Sequence, residues 1–152
     1  VDAKVIASGN PKLISLLEYW ESKRRGRLMP SRADIDVTEL RRWMGELHLL
    51  DVLQDPLRFV YRVYGTNVAP PRDADMTGRS VDEFPPKLRD LLKPPYLELL
   101  AARTPLYRTH VYEAKDRFVR RERLILPLSD NGTNVNMILT GNYPLEDPKP
   151  GA

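Results

Sequence analysis

The order of extended and helical stretches limits the fold of this chain more than any other feature. Residues 46–53 and 59–64 are rich in Leu, Val, Phe and Tyr, and 106–114, 118–128 and 134–143 are extended as well. Between the two groups lies 65–101, crowded first with proline, glycine and aspartate and then striped with leucine. Strands joined by a short connection pair antiparallel, because a parallel partner needs a long crossover. The first two strands, linked through Gln54-Asp55-Pro56-Leu57, therefore predict one hairpin. Ser129-Asp130-Asn131-Gly132-Thr133 predicts a second between the last two, since Asn-Gly tolerates positive φ. The expected fold class is α+β: one five-stranded antiparallel sheet covered on one face by helices, with 66–101 as the cover.

An N-terminal helix flanks this core. Asn10 is placed to cap it and Pro11 to occupy its first position, and Leu13, Leu16, Leu17 and Trp20 recur at helical spacing. It should end near Arg25-Gly26, with Lys23, Arg24 and Arg25 at the negative end of its dipole. Asp36 or Thr38 should cap a short helix carrying Leu40, Trp43 and Met44. Ser80 and Glu83 have the spacing of a capping box, after a turn at Gly78. Leu88, Leu91 and Leu92 form one stripe and Tyr96, Leu99 and Leu100 another; Pro94-Pro95 should kink or interrupt the helix between them. The chain divides into an N-terminal extension (1–10), a single domain (11–143) and an irregular, proline-rich tail (144–152).

Composition removes several function classes. The chain of 152 residues has no cysteine, which excludes a disulfide scaffold, a thiol nucleophile, a cysteine-ligated metal centre and a cysteinyl flavin adduct. No apolar run approaches the length of a membrane span and no secretory signal is visible, so a cytoplasmic location is expected. His48 and His110 both fall in strands and lack metal-ligand spacing, so no metal site is expected. Strand alternation sets Phe59, Tyr61 and Val63 on one face and Val60, Arg62 and Tyr64 on the other. Tyr61, Val63, Tyr64 and His110 are the candidate pocket residues. Arginines cluster at Arg24, Arg25 and Arg27, at Arg41 and Arg42, and at Arg117, Arg120, Arg121 and Arg123, where solvated or ion-paired side chains are expected. Asp34, Asp36, Glu39, Ser129 and Asp130 form no nucleophile–base set, so no catalytic residue is assigned.

In order along the chain, Leu17-Glu18-Tyr19-Trp20, Met29 to Asp36, Leu40-Arg41-Arg42, Phe59 to Thr66, Thr77-Gly78-Arg79-Ser80 and Leu126 to Asp130 resemble the PAS-like family of alphaproteobacterial proteins. The resemblance implies a sensory, signal-transducing or protein-interaction module of bacterial type, not an enzyme. It further implies a homodimer through the N-terminal helix, a separate signalling protein as output, and a noncovalent small organic ligand between sheet and helices. Haem is disfavoured, because residues 86–101 lack the histidine that oxygen-sensing relatives use. The main alternative is a module binding nucleic acid, itself disfavoured, or another anionic partner through the arginine-rich surface. A small enzyme with a carboxylate-based site is the further alternative.

Overall fold

A computed structural model describes residues 3–68, 75–114 and 116–145. Helix α1 spans Pro11–Arg24 and is followed by a 3-10 helix, Val37–Glu46. Strands β1 (Leu47–Leu53) and β2 (Arg58–Val63) form the first hairpin. Helix α2 (Pro86–Ala102) crosses the sheet, and β3 (Leu106–Ala114), β4 (Arg117–Leu128) and β5 (Met137–Pro144) complete it. All pairs are antiparallel, in the order β2-β1-β5-β4-β3. The last strand thus lies at the centre and closes the two hairpins into one sheet. The expected fold class is present.

The local signals act as their chemistry requires. The Asn10 side chain accepts from the Lys12 N–H at 2.9 Å, and Arg25 ends α1 in the left-handed conformation. Ser80 and Glu83 form the capping box, and Asp36 caps the 3-10 helix. In the 129–136 turn only Gly132 takes positive φ; the Asn131 side chain instead accepts from the N–H groups of Thr133 and Asn134.

Both faces of the sheet are covered. Helix α1 folds onto the face opposite α2, burying Leu13, Leu16, Leu17 and Trp20. Gly141 on β5 makes this approach close: a Cβ there would lie 2.6 Å from a Leu16 methyl and 3.0 Å from a Leu13 methyl. Trp20 Nε1–H donates to the Pro127 carbonyl at 2.9 Å. The Leu13, Leu16, Leu17 and Trp20 stripe is thus buried on the chain's own sheet, as the hydrophobic effect favours.

Helix α2 also departs from expectation, running without interruption through Pro94 and Pro95. Pro95 brings no N–H for the Leu91 carbonyl, the bond a helix would otherwise make there. A donor from the sheet takes its place: Arg123 Nη2 bonds the carbonyls of Leu91 and Leu92 at 3.1 and 3.0 Å. A long-range contact supplies what the local sequence lacks.

Candidate functional site

On the α2 side of the sheet, β1, β2, β4 and β5 present His48, Tyr61, Arg121, Arg123 and Asn142, while β3 adds His110 and Tyr112. Helix α2 closes over them with Leu88, Leu92 and Tyr96, and Phe84 enters from the connection before it. The space they enclose is a cavity of about 40 Å³, on the order of a few water molecules.

The strand pattern of the cavity wall is broken at one place. Tyr61 opposes Leu50 but Val63 opposes Leu49, so the register shifts by one residue between them. The bulge breaks the period of two and turns Tyr61 and Tyr64 to the same side. Both line the cavity, whereas Val63 is 41% exposed and lines an apolar groove with Leu47 and Leu49 on the other face. Val63 is therefore corrected as a pocket candidate. His110 and the two tyrosines share the cavity wall.

His48, treated by sequence as an ordinary strand imidazole, stands at the centre of this wall. Its ring stacks on Tyr64 at 4.2 Å and meets Tyr61 edge-on at 5.2 Å. Its Nδ1 accepts the Gly65 N–H at 3.0 Å, which places the ring proton on Nε2. Gly65 can come this close only without a side chain, since a Cβ would lie 2.6 Å from the Gly45 carbonyl oxygen and 2.7 Å from that of Leu47. Burial, and then the nearby Arg123 cation, push the His48 pKa down to about 3. The same two causes lower His110 to about 4. Both imidazoles are neutral at pH 7. Tyr61 lies against Tyr96 and Tyr64, and burial raises its phenol well above the ordinary value, so its proton stays in place.

Arg123 was expected in solvent or in an ion pair. It is instead 1% exposed. Its guanidinium lies 5.1 Å from the Tyr96 ring centroid, and Nη2 makes the two bonds to α2 already described. Nε and Nη1 are buried without a hydrogen-bond partner, as is Nδ1 of His110. The signal for this burial was the run Leu124-Ile125-Leu126-Pro127-Leu128, which continues β4 directly from Arg123 with no polar break. Elsewhere the arginines do behave as expected: Arg24 pairs with Glu21, Arg27 with Asp34 and Arg108 with Glu98. Among the described residues, no three His, Asp or Glu side chains gather as a metal site, and no helix is long and apolar enough to cross a membrane.

Fold and site together define an α+β domain with a small, mixed polar and apolar chamber between a five-stranded sheet and one long helix. A family model described as PAS domain matches residues 9–142, and the chain belongs to that family. PAS domains serve sensing and signalling, and that coarse assignment holds here. Two solved structures are similar to the chain. One is a sensory box sensor histidine kinase from Vibrio cholerae (15% identity, 73% of this chain and 90% of that one, TM-score 0.48). The other is a fungal LOV domain photoreceptor (17% identity, 95% and 98% coverage, TM-score 0.44). No curated protein matches the chain.

Proposed function

We propose that this PAS domain is a ligand sensor that holds a small organic molecule in the chamber between sheet and α2 and works by binding, without catalysis. The supporting observation is the chamber itself: ringed by Tyr61, Tyr64, Phe84 and Tyr96, it contains buried polar atoms with no protein partner. Buried polar groups are nearly always satisfied, so a cluster of orphans beside a space is where a guest fits. Haem is disfavoured in this reading because residues 86–101 carry no histidine, and a cysteinyl flavin adduct is excluded because the chain has no cysteine. The titratable groups lining the space are imidazoles, phenols and two guanidiniums, and the two imidazoles are weak bases, lowered to about 3 and about 4 by burial and the Arg123 cation.

Signalling follows from differential affinity. A guest that fits one packing of α2 against the sheet better than another shifts the population toward that packing. The output is a separate signalling protein. Native mass spectrometry of the protein as purified, with an absorption spectrum of the same sample, tests the reading. A noncovalent adduct without haem or flavin bands is the expected result. An apo mass in every preparation, together with no thermal shift across a library of small metabolites, overturns it.

A further inference from the structure

We propose that the guest is a small carboxylate with an apolar body, its charged head set against Arg123. The inference rests on the ligand-sensing reading and names the class of ligand. A guanidinium taken out of water needs a counter-charge or a full set of acceptors. Arg123 has neither: two of its three nitrogens are unpartnered, and only Nη2 is bonded, to helix carbonyls. Arg121 lines the same space two residues earlier on β4. Among the described residues no carboxylate pairs with either arginine. Glu98, on α2, is taken by Arg108 in a bond of 2.7 Å from each of its oxygens, and Asp51 is taken by Arg62. Glu122, next along the chain, faces the opposite side of the sheet, where Tyr107 and Asn10 donate to it. With His48 and His110 neutral, the chamber carries two positive charges and no negative one.

The rest of the wall decides between kinds of anion. Opposite the guanidinium stand Phe84, Leu88, Leu92 and the Tyr96 ring. An inorganic anion would leave this surface bare, whereas an acid with a short hydrocarbon body covers it while its oxygens take the free N–H groups. Arginine suits such a head because its donors are fixed in one plane.

The test is calorimetric titration and thermal denaturation of the full chain with propionate, butyrate and hexanoate, each beside its primary amide, and with sodium phosphate as a separate arm. At least one acid should raise Tm and shift the arginine Nε–H resonance assigned to Arg123, and its amide should bind at least roughly tenfold more weakly, as expected for hydrogen bonds to a charged partner. Arg123→Gln should weaken the acid by a similar factor and leave the amide within about twofold. Arg121→Gln gives a second variant with the same expected direction should the first not fold, and the Nε–H shift needs no variant. Equal binding of acid and amide, binding of phosphate alone, or no binding of any acid overturns the proposal. If the amides or another neutral guest bind in the chamber, ligand sensing stands and the carboxylate falls. If nothing binds and the purified protein is apo, both fall.

Discussion

Glu122 and Arg123 are neighbours on β4 and opposites in every other respect. Both side chains are buried, Glu122 toward α1 and Arg123 toward α2. The carboxylate is surrounded by neutral donors: the hydroxyls of Ser8 and Tyr107 on one oxygen and the Asn10 amide on the other. The guanidinium keeps two nitrogens without acceptors. The contrast extends to the two layers. The α1 side is packed around Leu13, Leu16 and Trp20 against Gly141 and holds one unpartnered polar atom, the Tyr143 hydroxyl; the α2 side keeps a chamber and the unpartnered nitrogens of Arg123 and His110. On the proposed reading, stability and guest recognition are divided between the faces of one sheet. A charge satisfied within the chain stabilises the fold, and one left unsatisfied is available to a ligand.

The largest effect that would test this division is on the α1 side. Trp20→Ala removes a fully buried ring and a hydrogen bond, and should cost about 3–5 kcal/mol in urea denaturation. A loss under 1 kcal/mol would mean that α1 is not part of the folded core. Acidification probes the other side. The folded-state pKa of His48 is about 3, against 6.5 for an ordinary histidine, so below pH 6.5 the unfolded chain binds more protons than the native one. Stability contributed by neutral His48 is complete above pH 6.5 and falls by about 1.4 kcal/mol per pH unit as pH drops toward 3. His110 acts in the same direction toward about 4. Denaturation midpoints between pH 7 and 4 measure it, and a flat profile would contradict the burial of His48.

Smaller effects sharpen the comparison between adjacent charges. Glu122→Ala leaves the Ser8, Asn10 and Tyr107 donors without their acceptor and should destabilise by about 2 kcal/mol. Arg123→Met should cost less than that without ligand, because losing the bonds to Leu91 and Leu92 is offset by removing an uncompensated buried charge. If Arg123→Met were the more damaging of the two, the cation would be a structural element first. Asn10→Ala should cost about 1 kcal/mol through the helix cap. Pro85, at the corresponding position of α2, provides no side-chain cap at all.

Much of this was legible in the sequence where the determinants are local. The Asn10-Pro11 start, the Leu13 to Trp20 stripe and the Ser80–Glu83 box each depend on residues within a few positions, and the hairpins on their turns. The PAS family emerged from the order of such pieces. The departures on the α2 side of the sheet come from partners distant in the chain. The bulge that brings Tyr64 beside Tyr61 depends on how β2 pairs with β1, and simple alternation put the two on opposite faces. The continuity of α2 depends on an arginine about thirty residues beyond its prolines. By type that arginine belongs in solvent or in an ion pair, and no local signal marks it as the donor for a helix with two prolines.

One peptide unit separates residue 122 from residue 123, and their side chains leave opposite faces of the sheet there. A displacement of β4 at Arg123 also moves Glu122, because the two are consecutive residues of one strand. Ser8 and Asn10 are tethered to that carboxylate, and Asn10 begins the N-terminal helix. A single residue step along β4 therefore separates the lining of the chamber from the side-chain bonds that hold the beginning of α1.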